Sequence, residues 1–322
     1  MTVLVVAAVV TAAAAPLVIG RMRSQGVLDV PNARSSHAVA VPRGGGLACL
    51  AGIAVSLMVV RMQGHPAPWS PLAVVAALSL LGYLDDRRGL SAPVRLGFQV
   101  IAGATMGATV GGGWWIVLGV VLVPIVVNSV NFMDGVNGIT SLTMVVWGVT
   151  AFSVGSASGI AQLAVLGAVT TGAALGFLPW NAPRACLFLG DSGSYLFGAL
   201  AACGLLVGWR GGAPVALLAA PLFLDVIDVT TVLAKRAVRR EALLTAHREH
   251  VYQRLANEVG LSHTTVAVAV AAASVVISAS WLVASTGVSL AITALVGGAY
   301  LLSPRLLGAR ARWMSRGRRG AA

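Results

Sequence analysis

Long apolar runs recur along most of this 322-residue chain, and they limit its fold more than any other feature. An apolar helix of about 17–25 residues can cross the hydrocarbon core of a bilayer. Eleven such runs lie near 2–20, 45–60, 69–84, 95–111, 114–130, 139–155, 159–178, 194–209, 213–235, 264–285 and 288–304. Because 57% of the residues are hydrophobic and only 10% are charged, a soluble domain could not bury them. The pattern predicts an all-α, polytopic membrane protein with about 10–11 transmembrane helices.

Basic residues are distributed unequally between the predicted loops. With the N-terminus outside and the first run retained as a helix, inner loops and the C-terminal tail hold all but two of the 22 Lys and Arg residues. Only Arg61 and Arg210 fall outside. Lys and Arg are enriched in cytoplasmic loops of membrane proteins, so this distribution predicts a cytoplasmic C-terminus. The net charge of +12 therefore reflects topology, and we expect no nucleic acid partner.

Four polar stretches lie on the predicted inner side, although polar groups between membrane helices are costly unless they line a cavity. They are Asp85-Asp86-Arg87-Arg88, Asn128 to Gly138, Phe188 to Ser194, and a late segment from His247 to Arg254. None of the ten acidic residues falls in a predicted outer loop. Carboxylates on a basic face indicate an enzyme with a magnesium-assisted site for an anionic substrate.

These stretches, in this order, resemble the motifs of the polyprenyl-phosphate N-acetylhexosamine-1-phosphate transferases, glycosyltransferase family 4. The matching residues are Asp85-Asp86, Asn128-x-x-Asn131-Phe132-Met133-Asp134-Gly135, Asn181-x-Pro183 with Phe188-Leu189-Gly190-Asp191-Ser192-Gly193-Ser194, and His247-Arg248-x-His250. An early loop fits the family as well, with Leu28 to His37 followed by Pro42 to Gly46. The whole chain, 1–322, is thus expected to be one integral-membrane transferase domain. Its motifs lie within about 28–255, its terminal helices within 264–304 and a basic cytoplasmic tail at 305–322.

The resemblance implies a reaction at the bacterial cytoplasmic (inner) membrane. Polyprenyl phosphate in the bilayer attacks the β-phosphorus of a UDP-sugar, which gives a polyprenyl-diphospho-sugar and UMP. The expected cofactor is Mg²⁺, which Mn²⁺ could replace. A His-Arg-x-His-x-Tyr-Gln order in the late segment resembles the branch that initiates O-antigen chains. Many members of the family are dimeric, so a homodimer is one expectation, and the oligomeric state stays open.

Roles for single residues follow from the same resemblance. The catalytic candidates are Asp85, Asp86, Asp134 and Asp191, with Asp191 and Asp134 as the Mg²⁺ ligands and Asp85 as a proton acceptor. The substrate-binding candidates are His37, Arg43, Asn128, Asn131, Asn181, Phe188, Arg248, His250 and Arg254. Phe188 is expected under the uracil ring. Whether the reaction is a single displacement or passes through a covalent aspartyl intermediate stays open, and we favour direct displacement.

Two departures from the family pattern limit this transfer of roles. Asn137 replaces a second acid of the central motif, so we expect no metal ligand there, and Tyr252-Gln253 replaces part of a histidine cluster. Three alternatives remain: a phospho-MurNAc-pentapeptide transferase, a non-catalytic lipid- or nucleotide-binding relative, and a secondary transporter. Asp225 and Asp228 share one face of the ninth run. Asp225 is expected to be a structural partner of the site that takes no direct part in the reaction.

Overall fold

The computed structural model describes residues 1–30, 39–64, 66–242 and 248–319, and almost all of them are helical. The helices are α1 (Thr2–Ser24), α2 (Gly45–Met62), α3 (Trp69–Arg88), α4 (Ala92–Val110), α5 (Trp114–Met133), α6 (Ile139–Ala157), α7 (Ala161–Asn181), α8 (Gly190–Arg210), α9 (Val215–Ala219), α10 (Phe223–Val238), α11 (Val251–Asn257), α12 (His263–Val283) and α13 (Thr286–Arg319). Two short strands, β1 (Leu28–Asp29) and β2 (Val41–Pro42), pair antiparallel in the early loop.

Nine segments within the described ranges are long and apolar enough to cross a bilayer. They are α1, α2, α5 to α8, α9 joined to α10, α12, and α13 as far as Gly308. α3 and α4 are similar in length but less apolar, because α3 ends with four charged residues and α4 carries Arg95. Large side chains such as Leu17, Val117 and Leu295 are mostly exposed, as lipid contact requires. The protein is therefore an all-α, multi-pass membrane protein, as its sequence predicts.

Small residues bring the helices into close contact. In the seam between α4 and α5, a Cβ added to Gly103 would lie 2.2 Å from the carbonyl oxygen of Gly119. In the seam between α6 and α7, a Cβ on Gly167 would lie 2.3 Å from the amide nitrogen of Phe152. Because lipid is as apolar as these side chains, such close packing is the main force that holds membrane helices together.

The C-terminal half differs from the sequence prediction at two points. The ninth run is interrupted by a 3-10 turn at Ala220–Leu222, where Pro221 cannot donate a backbone hydrogen bond. α13 continues to Arg319, whereas the sequence predicts that its helix ends near 304 and is followed by a basic tail. Ala, Leu, Met and Arg are strong helix formers, so the basic sequence after the span favours continuation of the helix.

Three tryptophans cluster where α5 begins and α8 ends. The ring centroids of Trp114 and Trp209 are 5.3 Å apart, and those of Trp115 and Trp209 are 6.0 Å apart. Tryptophan is enriched at the boundary between lipid and water. The cluster therefore marks the membrane boundary at the end of the helices remote from the polar motifs.

Candidate active site

The polar motifs meet at one end of the helix bundle, because successive helices end and begin there. Asp85 and Asp86 lie in the last turn of α3, and Asp134 directly follows α5. Asn181 is the last residue of α7, and Asp191 lies in the first turn of α8. We call this the site end of the bundle. Residues separated by more than 100 positions in the sequence thus form one polar region.

Asp86 caps α8 from a different helix. Its carboxylate accepts hydrogen bonds from the amides of Asp191 (2.9 Å) and Ser192 (3.1 Å). The first amides of a helix have no partner within it and carry a partial positive charge, so a carboxylate stabilises them. Gly190 has a φ of +71°, and a Cβ there would meet the Asp86 carboxylate at 2.6 Å. For these reasons α8 begins at Gly190, four residues before the predicted start, and Asp86 fixes the position of Asp191.

Asn131 orients the Asp191 carboxylate. Its side-chain amide lies in the last turn of α5 and donates to Oδ1 of Asp191 at 2.6 Å and to Oγ of Ser194 at 2.8 Å. Ser194 and Asp191 are three residues apart on α8 and share one face. The central motif and the Gly-Asp-Ser-Gly-Ser motif are therefore joined by direct side-chain contact.

Both oxygens of Asp85 are engaged. Oδ1 accepts from the amide of Leu90 at 2.7 Å, and Oδ2 accepts from Arg95 at 3.1 Å and from the hydroxyl of Tyr195 at 3.2 Å. These contacts tie α3 to α4 and α8, which is a positioning role. The role of Asp85 as a proton acceptor stays a prediction.

Sequence reasoning missed Arg95 and Tyr195. Tyr195 lies four residues after Asp191, so the two share a helix face, and this spacing was an available signal. Arg95 gave only the weak signal of a basic residue near an acidic pair.

Asp134 is held by the start of the next helix. Its Oδ1 accepts a hydrogen bond from the hydroxyl of Thr140 at 2.7 Å. Burial raises the pKa of the Asp134 carboxyl to about 7; the Thr140 hydrogen bond opposes this shift, and the nearby charge of Asp86 adds to it. A bound cation would lower that pKa, so Asp134 is suited to hold one.

Asp86 interacts electrostatically with both Asp134 and Asp191, so three carboxylates share one region, the carboxylate centre. Within the described ranges, no three His, Cys, Asp or Glu side chains converge as a ready metal cage. Mg²⁺ usually takes one or two carboxylates and completes its shell with water and substrate phosphate. Asp191 and Asp134 are donors of the type that Mg²⁺ prefers, so the residues present fit this ion.

Two predicted substrate-binding amides have structural partners. Asn128 donates to Gln99 of α4 at 2.6 Å and to the carbonyl of Pro124 at 2.8 Å. Asn181 accepts from the amide of Gly138 at 2.6 Å and donates to the carbonyl of Leu187 at 3.1 Å. These bonds hold α5 against α4 and tie the loop after α7 to the start of α6. Nucleotide contact by either amide stays a prediction.

The early loop is joined to the loop before α8 by backbone hydrogen bonds. The amide of Phe188 donates to the carbonyl of Pro42, and the amides of Gly45 and Gly46 donate to the carbonyls of Phe188 and Leu189. A Cβ on Gly46 would lie 2.1 Å from the amide nitrogen of Gly193, so the starts of α2 and α8 touch backbone to backbone.

Two further substrate-binding candidates belong to the early loop and to the loop that it joins. The Phe188 side chain is half-buried, and its stacking on uracil stays a prediction. Arg43 pairs with Asp29 at 2.8 Å and also interacts with Asp86. His37 lies outside the described residues.

The described part of the late segment, from Arg248 onward, reaches the same end of the bundle. His250 is almost fully buried, with its ring stacked on those of Phe132 and Tyr252. The Nη2 atom of Arg248 is buried and has no hydrogen-bond partner in the described part of the chain. Arg254, in contrast, donates three hydrogen bonds to Glu258, the residue that directly follows α11. Of the three residues predicted to bind phosphate in this segment, Arg248 is thus the one with a buried donor that has no partner among the described residues.

Comparison with known proteins gives consistent matches. Residues 68–208 match the family described as Glycosyl transferase family 4. A protein of Mycobacterium tuberculosis (strain ATCC 25618 / H37Rv), named decaprenyl-phosphate N-acetylglucosaminephosphotransferase, is 30% identical over 292 residues, which cover 75% of this chain and 71% of that protein. A Bacillus subtilis (strain 168) protein, named probable undecaprenyl-phosphate N-acetylglucosaminyl 1-phosphate transferase, is 27% identical over 263 residues, with 74% and 72% covered.

The helix bundle, its carboxylate centre and these matches define a multi-pass membrane enzyme of the phosphotransferase class. Within that class, the chain belongs to glycosyl transferase family 4, the superfamily that its motifs predict.

Proposed function

We propose that this enzyme transfers an N-acetylhexosamine-1-phosphate from a UDP-sugar to a polyprenyl phosphate in an Mg²⁺-dependent reaction. The proposal rests on the geometry at the start of α8, where Asp191 is fixed by the Asp86 cap and by Asn131. Asp86 also interacts electrostatically with the buried carboxylate of Asp134. The names of the relatives, which specify decaprenyl or undecaprenyl phosphate and N-acetylglucosamine, support the same reaction.

The reaction is a phosphoryl transfer. A phosphate oxygen of the lipid forms a bond to the β-phosphorus of the UDP-sugar, and the bond from that phosphorus to the bridging oxygen breaks. UMP leaves with the electron pair, and the product is a polyprenyl-diphospho-sugar. Catalysis of such a transfer consists mainly of positioning and of stabilising the charge on the phosphates.

The residues of the site can supply both. Asp191 and Asp134 would hold Mg²⁺, which when bound neutralises charge on the diphosphate. The buried Nη2 donor of Arg248 is available to a phosphate oxygen, and Arg43 adds positive charge beside Asp86. Asn131 and Asp86 touch Asp191 and keep its carboxylate in place, so they act as positioning residues.

The site lies at the ends of membrane helices, where a lipid phosphate and a water-soluble nucleotide can meet. We place this end on the cytoplasmic side, with the N-terminus outside, because that orientation keeps all but Arg61 and Arg210 of the 22 basic residues inside. The product then initiates a cell-envelope glycan such as O-antigen. UDP-GlcNAc is the first donor to test, since the relatives' names contain that sugar.

The test is UMP release by purified protein given polyprenyl phosphate, Mg²⁺ and a panel of UDP-sugars that includes UDP-GlcNAc and UDP-MurNAc-pentapeptide. We expect release with an N-acetylhexosamine donor, abolished by EDTA and reduced about a thousandfold in Asp191→Asn. Glu241→Gln, which also turns a carboxylate into an amide but on a partly exposed residue outside the site, should keep wild-type activity.

Release only from UDP-MurNAc-pentapeptide would change the assigned sugar and pathway. Folded wild-type protein that releases no UMP with any donor would refute the proposed reaction.

A further inference from the structure

Asp228 is a fully buried carboxylate in α10 with partners on two other elements. It accepts hydrogen bonds from the amide of Val251 at 3.0 Å, from Nδ1 of His250 at 3.3 Å, and from the hydroxyl of Tyr300 at 2.8 Å. A buried carboxylate is stable only with hydrogen-bond partners around it, and this one has two in the late segment and one in α13. The first two partners lie at the start of α11, so Asp228 caps that helix from α10.

The capped helix needs outside support. α11 has seven residues, and an isolated helix of that length is unstable in water. On one side the Asp228 carboxylate binds the start of this helix. On the other side the hydroxyl of Tyr252 donates to the backbone carbonyl of Phe132 at 2.8 Å. Phe132 is two residues before Asp134, so the late segment connects Asp228 to the carboxylate centre.

Tyr300 extends this connection to α13, a helix without any of the family motifs. Its hydroxyl reaches Asp228 across 72 residues of sequence, and its side chain is 8% exposed. No other hydroxyl in the described chain donates to Asp228. Tyr300 of α13 and the start of α11 therefore share one carboxylate, and the two helices also pack directly against each other.

We propose that Asp228 and Tyr300 are positioning residues that hold the late segment, and with it Arg248, against the carboxylate centre. They act through His250 and Val251 and touch no reacting atom. This inference rests on the proposed function, because it makes α13 a support for the segment that would bind the phosphates of the UDP-sugar. Loss of the Tyr300 hydroxyl or of the Asp228 carboxylate should loosen residues 248–257 and weaken binding of the UDP-sugar.

The experiment is hydrogen exchange of the 248–257 peptide, measured in lipid nanodiscs on Tyr300→Phe and Asp228→Asn, together with KM and kcat for the UDP-sugar. Tyr300→Phe removes only the hydroxyl, so we expect exchange in that peptide to rise about five- to tenfold, as loss of one hydrogen bond predicts. We expect KM to rise by a similar factor, with kcat changed less than about twofold.

Ser289→Ala is the matched control, because it also removes a buried hydroxyl from α13, one that bonds the carbonyl of Ser280 instead of Asp228. It should leave both readouts unchanged. If Asp228→Asn does not fold, Tyr300→Phe alone decides.

Three outcomes would each overturn the inference. They are unchanged exchange in Tyr300→Phe, an equal rise of exchange in Ser289→Ala, and a rise of exchange without any change of KM in an active enzyme. If the wild type transfers no sugar at all, the proposed function fails. The exchange measurement then still decides whether Asp228 and Tyr300 hold residues 248–257.

Discussion

The carboxylate centre and the late segment lie at the same end of the bundle but are held in place by different parts of the chain. At the centre, α2 and α8 touch backbone to backbone at Gly46 and Gly193, and the Asp86 side chain in addition binds the amides that start α8. The late segment is held by side-chain contacts of Asp228, Tyr252 and Glu249, the last of which pairs with Arg236. We therefore expect the acids of the centre to be held more rigidly than the late segment.

Two glycine substitutions test this comparison most severely. A Cβ on Gly46 would lie 2.1 Å from the backbone of Gly193, which cannot move aside without separating α2 from α8. A Cβ on Gly135 would meet the hydroxyl of Tyr252 at 2.2 Å, which is the end of a side chain. We expect Gly46→Ala to give little folded protein, because overpacking costs about 1–3 kcal/mol even where neighbours can relax. Gly135→Ala should fold but lose activity.

The measurement is the yield of monodisperse protein and its thermal midpoint, followed by UMP release. Equal yields and midpoints for the two variants would show that the centre is no more rigidly held than the late segment.

Asp86→Ala should have the next largest effect, since it removes the cap of α8. We expect a loss of about 0.5–2 kcal/mol in the free energy of unfolding, typical of a lost helix cap. Activity should fall about a hundredfold, since small misplacements of a reacting group carry penalties of that size. Thermal midpoint and initial rate are measured together, with Glu241→Gln as the reference. Wild-type activity in Asp86→Ala would mean that Asp191 needs no cap to function.

Alanine substitutions of two arginines in the late segment should raise KM by different factors, an effect smaller than those above but measurable. Arg248→Ala removes a buried donor, and a hydrogen bond to a charged group is worth about 1.5–3 kcal/mol, so KM should rise about tenfold or more. Arg254→Ala breaks a partly exposed pair with Glu258, which predicts a change in KM below about twofold. Titration of initial rate against UDP-sugar concentration separates the two. A larger rise of KM in Arg254→Ala than in Arg248→Ala would assign phosphate binding to Arg254 instead of Arg248.

The sequence predicts the membrane helices well because each is a local pattern of apolar residues. The acids of the centre could also be found, since their motifs are short and contiguous. The start of α8 could not: Gly190 to Ser194 is rich in residues typical of loops, and its helix depends on a cap supplied by Asp86, more than 100 residues earlier.

Pairings between distant helices gave no local signal either. Gln99 with Asn128, and Tyr300 with Asp228, involve residues that are unremarkable in their own segments. Asn128 therefore appears in the sequence as a ligand for substrate, while the structure gives it a partner on α4. Such contacts depend on which helices are neighbours, and that information is not present in any single run of residues.

The backbone hydrogen bonds of Gly45 and Gly46 at the start of α2 also affect the entropy of ligand binding. Most of the conformational entropy of the carboxylate centre is lost when the chain folds, so little remains to be lost when a ligand arrives. A nucleotide fragment that reaches only these carboxylates should bind with a small ordering entropy. A whole donor substrate, which also engages the late segment, should show a more unfavourable entropy in calorimetry.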